Sequence, residues 1–314
     1  MAKKEYKTTD ELITIMEEKG LLFSQKQRAK RILNENNYYC VTAYKNLFYK
    51  DKKREFKNNV DFEDLYSVYL FDKQLKSIIL KHLLFIEQKI KTAISNQISE
   101  KYGIDQKKYL KKDNFDQTSE YLDRNLRKIK EQARKYGKKN VAVRHYREKH
   151  GFIPFWVLSK CLTMGVIRDF FTILRPSDQS IIVNKVLEKN IDNKPVKKVK
   201  SMIALFADIR NMCAHDEMLL SYVHERITIS HLSEHDLIKC KKNKKGEIIQ
   251  GKSDLLALLI CVKYFVNRTM YNDFIQNISS SINKCYKKIG HIISKEDLLN
   301  YIGLSEDFEV LKQL

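Results

Sequence analysis

The chain has 314 residues, 59 of them Lys or Arg against 39 Asp or Glu, a formal net charge of +20. With 43% hydrophobic and 11% aromatic residues but only nine Gly and three Pro, a disordered chain and a turn-rich β protein are excluded, and long helices are favoured. The longest clean apolar run, Leu255 to Val262, is far too short to span a bilayer as a helix.

In chain order, Thr8 to Glu11 reads as a capping box that opens a helix ending at Gly20. Ser24 with Gln27 opens a second helix, and Tyr38 to Tyr44 reads as an aromatic linker packed across the core. Phe62 to Ser99 carries Leu65, Tyr69, Leu75, Ile79, Leu83, Ile86, Ile90 and Ile94 at helical spacing, which predicts one or two long amphipathic helices. A basic helical stretch follows up to Gly137. Pro154 then opens a helix over Phe155 to Thr163, Gly165 breaks it, and Val166 to Leu174 resumes before Arg175-Pro176-Ser177 stops the chain. Val199 to Ala214 is helical. Ile227 to Gly251 reads as a small basic β-hairpin or loop, Leu255 to Phe265 as a buried helix, and two polar-faced helices follow. The expected architecture is all-α and a single domain over 1–314. It comprises an N-terminal helical part (1–100), a basic elaboration (101–150), a core (151–235), and a basic hairpin with C-terminal helices (236–314).

The first ten residues lack the apolar stretch of a signal peptide. The six cysteines (Cys40, Cys161, Cys213, Cys240, Cys261, Cys285) include no CxxC pair. The expectation is a cytoplasmic protein with reduced thiols and no membrane partner.

The charge is clustered. Residues 124–149 hold eleven Lys or Arg against two acids, a local +9. The candidate RNA-binding residues there are Arg124, Arg127, Lys128, Lys130, Arg134, Lys135, Lys138, Lys139, Arg144 and Arg147, joined further on by Lys241, Lys242, Lys244 and Lys245. Such clusters attract polyanions through counterion release. The interleaved Tyr121, Tyr136, His145 and Tyr146 suit stacking on unpaired bases. Because Lys outnumbers Arg 46 to 13, a merely solvated face remains the alternative. Four further lysines gather at Lys194, Lys197, Lys198 and Lys200.

The segment from Ala207 to His215 places a permanent cation (Arg210), an amide (Asn211) and an imidazole (His215) within six residues. RNA cleavage without metal needs a base for the ribose 2′-hydroxyl, an acid for the departing 5′-oxygen and a cation for the phosphorane. Histidine serves the first two roles near neutral pH and arginine the third. On a helix Asn211 and His215 share a face while Arg210 lies to one side. One chain supplies one His and one Arg, so the full set requires two copies meeting at a symmetric interface. The spacing alone is a weak motif, and the small Cys213 and Ala214 would permit close helix approach.

The pattern Arg210-Asn211-x-Cys213-Ala214-His215 resembles the signature of the Abi-like (AbiD/AbiF type) abortive-infection family of the HEPN superfamily, which is related to the ancestors of type VI CRISPR effectors. Tyr39 to Tyr49, Asp64 to Leu75, Phe85-Ile86-Glu87 leading to Lys91, and Pro154 to Leu158 with Met164-Gly165 resemble further family elements in the same order. The resemblance spans roughly residues 10–308. It implies a helical HEPN bundle, metal-independent endoribonuclease activity without a cofactor, a site at a homodimer interface, a small non-coding RNA partner, and an antiphage, toxin-like role. It maps the catalytic pair onto Arg210 and His215, the polar residue between them onto Asn211, and supporting positions onto Glu87 and Lys91. Two positions depart from the pattern: Met218 and Lys91 stand where the family carries arginine. An RNA-binding scaffold that does not cut is therefore the second reading.

Other candidates are weaker. His224, His231, His235 and Cys240 lack the spacing of a structural zinc site, His145 and His150 read as exposed, and the only tryptophan, Trp156, reads as core. No phosphate loop or serine-hydrolase elbow is present.

Overall fold

The capping box at Thr8 forms as its sequence dictates. The Glu11 N–H donates to the Thr8 hydroxyl, and the Glu11 carboxylate accepts from the Thr8 N–H at 2.6 Å. This starts α1 (Thr9–Glu18) in a computed structural model that describes residues 5–50 and 54–313. The first four residues of the polar start lie outside the described residues. Fifteen α-helices and no strand occur among the described residues, so the all-α expectation holds.

α2 (Lys26–Glu35) begins one residue later than a Ser24 cap implies. The Ser24 N–H donates instead to Asp61, and Gln25 makes no side-chain cap. The aromatic segment expected as a linker is α3 (Tyr38–Thr42) followed by a 3-10 turn, with Val41 and Tyr44 buried.

α4 (Phe62–Tyr102) is one uninterrupted helix of 41 residues and the axis of the molecule. At 1.5 Å per residue it runs roughly 60 Å. Ile79, Ile86, Ile90, Ile94 and Ile98 are fully buried along it. Most of the other long helices lie against this rod.

The short α5 (Gln106–Tyr109) leads to α6 (Leu122–Gly137) and α7 (Val141–His150), which carry the basic cluster. α8 (Phe155–Leu158) is a single turn that continues into a 3-10 turn ending at Cys161. Trp156 is 42% exposed, which corrects its reading as core. On one turn only, Phe155, Val157 and Leu158 take the inward directions and leave position 156 facing out.

α9 (Met164–Ile173) is capped by the Thr163 hydroxyl, so the break falls at Thr163 and Gly165 lies within the helix. Pro176 does not stop the chain either. It occupies the first turn of α10 (Pro176–Val186), where its missing N–H costs nothing.

α11 (Pro195–Ala214) ends at the Arg210–His215 motif. Beyond it come α12 (Glu234–Leu237), the buried α13 (Leu255–Lys263), α14 (Arg268–Ile289), which packs along α4, and α15 (Lys295–Tyr301). The expected hairpin is a loop. Residues 227–229 pair with no strand, and a single antiparallel bridge joins Lys242 to Ile248 across a turn closed by Asn243. A two-stranded pairing with no third strand to pack on is marginal, and here it stops at that one bridge.

Candidate active site

α11 delivers the motif to the flank of α4. Arg210 turns toward α4, where its Nε donates to the Glu87 carboxylate at 3.3 Å, and its Nη1 lies 3.5 Å from the Asn211 amide oxygen. Glu87 is nearly enclosed, and its other oxygen meets the Lys91 ammonium at 2.7 Å. Lys91 also donates to the Leu162 carbonyl at 2.7 Å. A carboxylate held between two cations gives the guanidinium a fixed direction, and charge-assisted bonds of this kind are the strong ones. Arg210 keeps a quarter of its side chain exposed, so the fork still reaches solvent.

One turn further, the His215 N–H donates to the Asn211 carbonyl at 2.9 Å and ends the helix. Its ring is exposed and bonds to no described residue. His215 is the residue that caps α11, four positions after Asn211, and the side-chain contact within the motif is the one between Arg210 and Asn211. Cys213 points inward, where burial pushes its thiol up to about 12, an inert group. Ala214 is exposed rather than packed on a neighbouring helix within the chain.

The chain after His215 is clamped to α4. Asp216 sits in the left-handed region at φ 59°, and its carboxylate meets Lys73 and, at 2.6 Å, Lys76. Burial alone would raise that carboxyl, but the two ammonium groups hold it below the usual carboxylate range. The fully buried Asp72 accepts from the backbone N–H groups of Leu219 and Leu220, both at 3.1 Å.

A second imidazole is nearby and already committed. The His224 Nδ1 accepts from the N–H groups of Arg226 and Ile227, and its Nε2 faces Asp208, which also receives the Tyr222 hydroxyl at 2.7 Å. The Nδ1 nitrogen is thus spent on the loop backbone, and Nε2 lies 3.7 Å from the Asp208 carboxylate. His235 is likewise spent on the backbone at Leu232 and Gly251.

Arg210 forms part of the lining of an open cleft of about 500 Å³. Glu87 and Lys91 line it from α4, Tyr136, Lys139 and Asn140 from the α6–α7 turn, and Lys160 and Thr163 from the approach to α9. Four cations thus surround one carboxylate. Lys160 and Asn140 were not legible as site residues, because nothing in a lone Lys or Asn marks it until the chain folds back.

The other candidate RNA-binding residues divide. Lys128 is paired with Asp169 at 2.7 Å, and Arg124 and Lys135 lie over the rings of Tyr121 and Tyr136. Arg127, Lys130, Arg134, Lys138 and Arg147 line grooves on another side of α6, and Arg144 is exposed. Lys241, Lys242, Lys244 and Lys245 are exposed on the loop anchored through Lys239 to Asp307. The Lys194–Lys200 knot lies at the far end of α11, with Lys194 roughly 24 Å along the axis from Arg210.

Residues 31–221, well over half of the chain, match the family model described as Abi-like protein. The chain belongs to the Abi-like family. No curated protein and no solved structure matches it. In this Abi-like protein the matched segment contains every cleft residue together with Asn211 and His215, whereas α12–α15 lie beyond it. No described helix is long and apolar enough to cross a membrane.

Proposed function

We propose that this Abi-like protein is a metal-independent endoribonuclease of the HEPN type, acting in abortive-infection defence. The observation that carries the reading is the Arg210 guanidinium, held by the Lys91-paired Glu87 within a cationic cleft, with the His215 ring, bonded to no described residue, one helical turn away. An imidazole removes the ribose 2′-hydroxyl proton, and that oxygen attacks the adjacent phosphorus. Arg210 balances the charge that builds on the phosphorane. The 5′-oxygen leaves with a proton from a second imidazole, yielding a 2′,3′-cyclic phosphate and a 5′-hydroxyl end. Asn211 orients His215 or the phosphate.

A second copy supplies the second imidazole, since His224 is spent on the backbone. The surface beside His215 suits such an interface. Ala214 and Met218 are exposed there, and Leu84, one turn before Glu87 on α4, is 46% exposed. Lys139, Lys160 and Tyr136 would grip single-stranded RNA at the cleft, and a small non-coding RNA belongs to the same reading as a partner. The alternative, a scaffold that binds RNA without cutting, draws support from Met218 standing where the family pattern has arginine.

Two expected results test this arrangement. Met218→Glu puts a charge on the apolar surface beside His215. Light scattering then gives a monomer where the parent protein gives a dimer, and cleavage per chain falls at least tenfold. A monomeric parent protein that cuts RNA at full rate would contradict the composite site. Glu87→Gln removes the carboxylate that aims Arg210. It lowers kcat roughly ten- to hundredfold with KM nearly unchanged, and Glu87→Asp recovers part of the loss. An unchanged kcat in Glu87→Gln would show that Arg210 needs no such support.

A further inference from the structure

The basic elaboration has a second concavity that the cleavage reading does not use. It lies between α5, α6 and α7, measures about 400 Å³, and is within the range of small-molecule sites. Leu110, Ala133, Ile153 and Leu158 give it an apolar floor, and Lys130, Arg134, Lys138 and Arg147 stand around it with no carboxylate among the lining residues. None of the four cations is paired with an acid among the described residues, unlike Lys128 on the same helix.

The local sequence builds this arrangement. Lys130, Arg134 and Lys138 recur every four residues and so share one side of α6. Gly137 lets α7 close over it: a Cβ there would lie 3.2 Å from Val143 Cγ1 and 3.5 Å from Arg147 Nη2. The bare backbone admits the close approach of Val143, and the Arg147 guanidinium lies beside it at ordinary contact distance.

We infer that this groove holds the 5′-terminal nucleotide of an RNA strand that bears a triphosphate. The inference rests on the RNA-directed reading above. An apolar floor takes a base or ribose face, and unpaired Lys and Arg take phosphate oxygens. An internal phosphodiester brings one negative charge per nucleotide, too few for four cations around one groove, whereas a triphosphate concentrates several. The groove and the cleft adjoin at the α6–α7 turn. Lys138 lines the groove and Lys139, the next residue, lines the cleft that contains Arg210. The groove therefore selects RNA by its end, and the cleft receives the interior of the strand.

The test is equilibrium binding of a short oligonucleotide with 2′-O-methyl riboses, labelled at its 3′ end, in excess EDTA. Such a strand lacks the attacking hydroxyl, so the result stands whether or not the protein cleaves RNA. The triphosphate form is expected to bind about tenfold more tightly than the same strand with a 5′-hydroxyl, and the monophosphate between them. Arg134→Gln/Arg147→Gln and, independently, Lys130→Gln/Lys138→Gln are expected to erase that difference. All four side chains are exposed, so the exchanges leave the core intact. Equal binding of the three ends would overturn the inference, as would a preference that survives both double substitutions. A free nucleoside triphosphate that binds as tightly as the RNA end would overturn the assignment to RNA.

Discussion

His215→Ala is expected to reduce cleavage of single-stranded RNA by at least 10²–10⁴-fold, the usual contribution of a positioned acid or base. RNA binding should stay within a few-fold, because the imidazole stands outside the cationic cleft lining and the basic face of α6. The ring has no structural duty among the described residues. The helix end is closed by the His215 backbone N–H, which alanine retains, and the following turn is held by Asp216 with Lys73 and Lys76. The variant therefore keeps its fold and its melting temperature. Cleavage at the parental rate with His215 absent would remove the imidazole from the reaction and leave the scaffold reading.

The largest effect on stability is expected far from the motif. Glu234 on α12 is fully buried, and its carboxylate receives Lys189 at 2.9 Å, Lys263 at 3.2 Å and the Tyr264 hydroxyl at 2.6 Å. This one group ties the post-motif segment to α13 and to the connection between α10 and α11. Glu234→Ala leaves the Lys263 ammonium buried without its partner, which costs about 3–5 kcal/mol and lowers the urea midpoint accordingly.

Acid titration reports the same contact. Burial alone would raise the carboxyl, but the hydrogen bonds from Tyr264 and Lys189 outweigh it and hold Glu234 down at about 2, from an ordinary value of 4.5. A carboxyl depressed in the folded state stabilises the fold fully above pH 4.5 and loses that contribution as the pH falls toward about 2. Between those limits the parent protein should lose more stability than Glu234→Gln. Parallel acid limbs in the two proteins would show that the network contributes little.

The helical character of this chain is local information, and the sequence carries it openly. The isoleucines at 79, 86, 90, 94 and 98 mark α4, and Thr8 with Glu11 opens α1. The candidate chemistry was legible for a similar reason, since Arg210, Asn211 and His215 lie within one and a half turns. Proline and glycine misled where their role depends on position. Pro176 reads as a stop in isolation yet starts α10, and Gly165 sits inside a helix whose cap is Thr163. Trp156 looked like core because three apolar neighbours surround it in sequence, and a single helical turn turned it outward.

What local reading could not supply is contact at a distance. Asp216 meets Lys73 and Lys76 from about 140 residues away, and the Asp72 bonds to Leu219 and Leu220 span a similar separation. The cleft draws Lys91, Lys139, Lys160 and Arg210 from four separate segments. Periodicity showed Glu87 with Lys91 only as an i,i+4 pair, the family resemblance marked both as supporting positions, and the folded chain turns that pair toward Arg210.

The most direct measurement is the chemistry of the ends that purified protein leaves on a defined single-stranded RNA in excess EDTA. The account predicts a 2′,3′-cyclic phosphate on one fragment and a 5′-hydroxyl on the other, with neither formed by His215→Ala. Fragments carrying 5′-phosphates, or cleavage that EDTA abolishes, would contradict it.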